Sequence, residues 1–288
     1  MNILPAEFYE DLLQRAFARI FIPEYSLLSG PFSDFADQYK EKGHHKRVIF
    51  KNGVFGEPLY VHNTSTLGEE LNASNVSNLP KFRGITSLGF HGSRESSVNR
   101  EVKLTLARYF KEPGFKHLDL STSNLSDAWV DEFSSFQNLN SVSVRDSFSD
   151  SILTLLKNLL DQNQLQYLEI VPQRYVSKLV DLICEFLQQP QFRRVAFAGD
   201  YDERVKKSIF SVRTTKKQRF SRKVVLWKGY IKLHNNSFRL VDHVEPLVIR
   251  YEGQNFSLKY CCDENGPLDP SLANFTMLRL SDLCTWLR

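Results

Sequence analysis

Phe115-Lys-His-Leu118-Asp-Leu120 and Leu139-Asn-Ser-Val142-Ser-Val144 are two copies of one phrase, apolar-x-x-apolar-x-apolar. It recurs as Ile85-Thr-Ser-Leu88-Gly-Phe90, Leu165-Gln-Tyr-Leu168-Glu-Ile170 and Phe192-Arg-Arg-Val195-Ala-Phe197. The starts at 85, 115, 139, 165 and 192 lie 24–30 residues apart. The last two apolar residues of each phrase are two apart, so they share one face of a strand. The residue between them points the other way.

A helical stretch is expected after several of the phrases. Leu125-Ser126-Asp127 and Phe148-Ser149-Asp150 place cap-forming residues at nearly the same offset. Ser and Asp favour such positions because their side-chain oxygens accept from the free N–H groups of a first turn. Ile152, Leu153, Leu155, Leu156, Leu159 and Leu160 then form a wide apolar stripe. Val176, Leu179, Val180, Ile183, Phe186 and Leu187 form another, which Pro190 ends. Val98, Val102, Leu104, Leu106, Ala107 and Phe110 supply an earlier, less regular one.

Strand-plus-helix units at this period resemble leucine-rich repeats. The expected fold class is α/β: a leucine-rich-repeat-like solenoid, with a short helical N-terminal segment and a β-rich C-terminal part. No unit of such a fold can bury its stripe alone, and stacking makes one continuous core. A doubly wound α/β domain is the other reading of the same alternation. It usually carries a Gly-rich first turn for phosphate, which this chain lacks. In a solenoid the polar residues between the apolar ones line the concave face. Lys116, His117, Asp119, Asn140, Ser143, Gln166, Tyr167, Glu169, Arg193 and Arg194 are therefore expected to meet a partner protein. Tyr167 and the Arg pair are of the types that dominate interface energetics.

The expected organisation is a helical segment over 1–40, a strand pair and linker over 41–80, repeats over 81–212 and β-rich repeats or a cap over 213–288. His45-x-x-Val48-x-Phe50 loosely echoes the repeat phrase, so a hairpin or a degenerate first unit fits there, with a turn near Gly53 or Gly56. Residues 63–80 read as a loop. Leu4-Pro5-x-Glu7-x-x-x-x-Leu12-Leu13 resembles the opening of a divergent F-box. That resemblance implies docking on the adaptor subunit of a cullin-type ubiquitin ligase through Leu4, Pro5, Phe8, Leu12 and Leu13, with the repeats holding the target. The repeats alone suggest a non-enzymatic protein-binding scaffold.

Composition is ordinary for a globular chain: 288 residues, 42% hydrophobic and 24% charged. A net charge of +4 does not by itself imply nucleic acid. The local exception is Arg213, Lys216, Lys217, Arg219, Arg222 and Lys223 beside Phe220. This run is the basis of an alternative reading, a nucleic-acid-associated protein. Strands are expected after it, from Val224 onward. The four cysteines have no zinc-site spacing, and Cys184 sits in an apolar stripe as a buried thiol. No phosphate loop, nucleophile elbow or His-Glu-x-x-His run occurs, so no catalytic residue, cofactor or metal is expected. Without a leader-like or spanning run, the chain is expected in the cytoplasm or nucleus, not secreted and not in a membrane.

Overall fold

The computed structural model describes residues 30–62, 70–72, 82–92, 97–171, 177–198, 204–205 and 208. It also gives the backbone of strands within 223–287. Five helices and fourteen strands occur among them. The chain is α/β, with mixed sheet whose middle strands run parallel and which does not close. It divides into two compact units, Met1–Ser141 and Val142–Arg288.

The N-terminal unit begins with α1 (Pro31–Lys42), which has Pro31 in its first turn, where a missing N–H costs nothing. β1 (His44–Lys51) follows, then the short β2 (Val54–Phe55). Their register, Phe50 opposite Phe55 and Lys51 opposite Val54, leaves Asn52-Gly53 as a two-residue hairpin turn. Both turn residues have positive φ, 52° and 84°, and Asn-Gly tolerates that best. β3 (Leu59–His62) and β4 (Glu70–Leu71) extend the edge antiparallel; β4 lies in the stretch expected to be loop.

β5 (Arg83–His91) and β6 (Phe115–Leu120) join β1 in parallel. Ile85, Leu88 and Phe90 pair with Phe115, Leu118 and Leu120, so two repeat phrases lie position against position. His45, Val48 and Phe50 pair with the same three residues of β5 from the other side. The degenerate first phrase is therefore a real strand of this set, and the hairpin expected there is present as well. α2 (Arg100–Lys111) connects β5 to β6, as a parallel pair requires. The Asn99 side chain accepts from Val102 N–H at 2.9 Å and caps it. Val102, Leu106, Tyr109 and Phe110 face inward, whereas Leu104, expected in the stripe, is 50% exposed.

α3 (Asp127–Ser134) follows β6. Ser126 is its cap residue, but its side chain makes no capping bond; its carbonyl accepts from Trp129 and Val130. Trp129 and Phe133 pack with Phe50 and Phe90, with centroids 4.6–5.4 Å apart. Each of these rings is fully buried, which stabilises the unit by roughly 1.5–3 kcal/mol apiece.

β7 (Leu139–Val144) crosses the division between the units. The C-terminal unit continues with α4 (Asp150–Asp161), β8 (Tyr167–Ile170), α5 (Ser177–Gln188) and β9 (Arg194–Ala198). Ser149 caps α4 by accepting from Ile152 N–H at 3.4 Å. Ile152, Leu155, Leu156, Leu159 and Leu160 are its buried stripe. α5 buries Leu179, Val180, Ile183, Cys184, Phe186 and Leu187 and ends two residues before Pro190. β8 and β9 pair in parallel, Leu168 with Val195 and Ile170 with Phe197, again phrase against phrase. β10 (Lys223–Lys228) adds a further parallel strand beside β9. β11 (Arg239–Glu245), β12 (Val248–Gly253), β13 (Phe256–Cys261) and β14 (Asp282–Leu287) are antiparallel, with β14 between β10 and β13. The end expected as a cap thus holds a strand within the β-rich part.

Candidate interaction face

Side chains alternate along each strand, so the three parallel strands of the N-terminal unit have two unlike faces. One carries Lys46, Val48 and Phe50, then Thr86, Leu88 and Phe90, then Lys116, Leu118 and Leu120, all buried. Trp129 and Phe133 cover its apolar end. The other face carries His45, Arg47, Ile49 and Lys51 on β1, Ile85, Ser87, Gly89 and His91 on β5, and Phe115, His117 and Asp119 on β6. Apart from Gly89 and Asp119 these are half-buried or exposed. The second face is the candidate interaction face.

His117 and Asp119 have their positions on this face, His117 half-buried and Asp119 buried. His117 Nδ1 stands 2.9 Å from Ser141 Oγ. The Asp119 carboxylate is 4% exposed and ion-paired at 3.6 Å with Arg47, two strands away. Gly89 lies between them. A Cβ at Gly89 would lie in ordinary contact with Ile49 Cγ1 at 3.5 Å, His91 Nε2 at 3.7 Å and Arg47 Nη2 at 3.8 Å, which places the Arg47 guanidinium over this strand.

Lys116 corrects the expectation. It shares the parity of Leu118 and Leu120, is 2% exposed, and its Nζ donates to the carbonyls of Glu112 and Pro113. Thr86, at the same place in its own phrase, is fully buried and donates to Pro113 O at 2.7 Å. Asn140 is half-buried, and its Oδ1 accepts the Lys116 N–H at 2.9 Å. The physical reason is the phrase itself. Its first x lies in step with the last two apolar residues and so faces the core side, and only the later x residues face away.

Lys116 joins a charge cluster at the ends of β1, β5 and β6. Lys46 Nζ donates to both oxygens of Glu112, at 2.6 and 2.8 Å, and Arg83 Nη1 donates to the same carboxylate. Lys46 also lies over the Tyr109 ring at 5.1 Å and Arg83 over Tyr60 at 5.8 Å. Tyr109 OH donates to Ser87 O at 2.6 Å, and burial holds its phenol well above the ordinary range. Three buried cations thus converge on one carboxylate and on the carbonyl end of α2, where positive charge is favoured. Burial, opposed by Glu112 and reinforced by Arg83 and Lys46, pushes Lys116 down to about 8. Between about pH 8 and 10.5 the unfolded chain holds a proton at Lys116 that the folded chain lacks. Stability contributed by this group therefore rises with pH across that window.

Burial, helped by His44 and His62, pushes His45 down to about 4, and its Nδ1 is buried without a hydrogen-bond partner. Between about pH 4 and 6.5 the unfolded chain takes up a proton that the fold refuses, so stability falls as pH drops through that range. Denaturant titrations at several pH values should show this slope in the wild type, and His45→Gln should flatten it. An unchanged slope would assign the acid sensitivity to other groups.

In the C-terminal unit Tyr167 and Arg194 are paired across β8 and β9, with the guanidinium 5.0 Å from the ring centre. Glu169 is half-buried, two residues along the strand from Tyr167 and on the same face, and Arg193 is exposed. Gln166 is half-buried, and its carbonyl accepts from Arg193 and Arg194 N–H groups at 2.8 and 3.1 Å. Ser143, expected at the surface, is 1% exposed and offers a partner little.

Leu4, Pro5, Phe8, Leu12 and Leu13 lie outside the described residues, as do Arg213, Lys216, Lys217, Arg219 and Arg222; only the backbone of Lys223 is described. Among the described residues no three His, Cys, Asp or Glu side chains group where a metal could sit, and no helix is long and apolar enough to cross a membrane. Arg47, Ile49, Lys51 and His91 belong to the face but not to the residues expected to bind. The echo at His45-x-x-Val48-x-Phe50 was the available signal for the first three. Comparison with protein-family models, with curated proteins and with solved structures returned no match.

Proposed function

We propose that this chain is a non-enzymatic protein-binding scaffold built on leucine-rich-repeat-like units. What carries the reading is register: Ile85, Leu88 and Phe90 against Phe115, Leu118 and Leu120 in one unit, and Leu168 and Ile170 against Val195 and Phe197 in the other. Repeats aligned in this way bury their apolar positions on one side and set a row of polar and aromatic side chains on the other. Tyr167 and Arg194 have the chemistry of interface anchors, and His117 adds a polar group on the N-terminal unit's face. The F-box resemblance at Leu4-Pro5 extends the proposal to a substrate receptor of a cullin-type ligase, in the cytoplasm or nucleus.

The test is affinity capture on the full chain, read by quantitative mass spectrometry. A retained protein should drop by about tenfold with Tyr167→Ala plus Arg194→Ala, or with His117→Ala. Retention of every partner by all of these variants would remove the proposal. Loss of the ligase adaptor on deleting residues 1–16, with the target still held, would support the receptor role. Repeating the capture over a salt series separates the nucleic-acid reading, since phosphate contacts weaken steeply with salt.

A further inference from the structure

The candidate face has an outer margin that the repeat phrases do not account for. On β1 the residues Arg47, Ile49 and Lys51 share one side, because they are two apart. Val54 lies directly opposite Lys51 on β2, so it lies on that side too, while Phe50 and Phe55 meet on the other at 4.9 Å. Ile49 is 37% exposed and Val54 67% exposed, two of the three large exposed apolar residues among the described ones. They sit between cations: Lys51 is exposed and Arg47 has 43% of its side chain in solvent. His91 adjoins Lys51 on the next strand. Asp119, the acid paired with Arg47, is only 4% exposed; Glu57, two residues past β2, is an exposed carboxylate.

Arg47 reaches Asp119 at 3.6 Å, beyond hydrogen-bond distance. A guanidinium has five N–H donors, and this pair leaves them open to an incoming carboxylate. Apolar side chains left in water beside such donors offer burial to aliphatic side chains and complementary charge to carboxylates. We propose that Arg47, Ile49, Lys51 and Val54 form a docking strip for an acidic peptide segment of another protein, with aliphatic side chains seated on Ile49 and Val54 and carboxylates on Arg47 and Lys51. The proposal rests on the scaffold reading above but names a different part of the face and the chemistry of what binds it.

The test is selection of a random peptide library on the immobilised full chain, followed by fluorescence-polarisation titration of the selected peptides. Enrichment of sequences with net negative charge and at least one aliphatic residue is the expected result. Lys51→Glu combined with Ile49→Ser should weaken them by about tenfold or more, and Val54→Ser by severalfold. Leu104→Ser, which alters an exposed apolar residue on α2, should leave binding unchanged. Arg47→Gln is read together with its unfolding midpoint, because it also uncovers Asp119. The substitutions at Lys51, Ile49 and Val54 touch half-exposed or exposed residues, so their unfolding midpoints should match the wild type. Neutral or basic consensus peptides, no enrichment, or binding indifferent to Lys51→Glu with Ile49→Ser would overturn the proposal. So would a self-associated chain in sedimentation velocity that Ile49→Ser dissociates, since a second copy would then cover the strip. If captured proteins are lost with the Tyr167 and Arg194 variants but kept with the Lys51 and Ile49 ones, the scaffold reading stands and this one falls.

Discussion

Glu112→Gln should destabilise the N-terminal unit by about 3–5 kcal/mol, measured by denaturant unfolding, because it leaves Lys46 and Arg83 buried without their counter-charge. The two cations are 11% and 5% exposed and Glu112 itself 29%, so water reaches the site only from the Glu112 side and replaces the carboxylate in part. Domain stabilities are of order 5–15 kcal/mol, so such a loss removes much of the margin. Lys46→Met in the Glu112→Gln background should recover part of the loss, since it removes one stranded charge and keeps the volume. A change under about 1 kcal/mol would mean that the carbonyl end of α2 and the two tyrosine rings already offset the cations. The cluster bears on binding through position alone. Lys46, Thr86 and Lys116 are each one residue from Arg47, Ser87 and His117, so tying down the first set fixes where the second points.

Trp129→Ala should cost about 3–5 kcal/mol, through lost burial and the cavity left behind. Trp129 is fully enclosed and touches Phe50, Phe90 and Phe133, with ring centres 5.1, 4.6 and 5.2 Å away. It joins α3 to β1 and β5 at once. Trp129→Phe should lose less, because most of the volume stays. Equal losses for both variants would show that the indole itself, not the filled space, holds the strands together. Near-ultraviolet circular dichroism and the unfolding midpoint report the two effects separately.

Binding should follow these substitutions only where the fold is lost. At a temperature well below the midpoint, Trp129→Phe should bind a partner of the candidate face as the wild type does. The rings lie on the side of the sheet away from Arg47 and His117.

The strands and helices were legible because their signal is periodic and local. Three apolar residues at fixed spacing define a strand face whatever the neighbours do, and Ser149 caps its helix through a bond that reaches only three residues. The weak first phrase at His45-x-x-Val48-x-Phe50 was readable for the same reason, and its strand pairs where the spacing puts it. The face was legible only in part. Asp119 and His117 follow from alternation, but Lys116 was misplaced because the phrase was read as wholly outward between its apolar positions.

Sequence alone determined that this chain alternates strands with helices and repeats one strand pattern, since backbone periodicity and capping are decided within a few residues. Tertiary structure decided what gathers around those strands. Lys46 and Arg83 meet Glu112 from 66 and 29 positions away in the chain, and Arg47 crosses Gly89 to Asp119. Such charges come together only when parallel strands, whose connections span a helix, are laid side by side, and no local spacing encodes that distance.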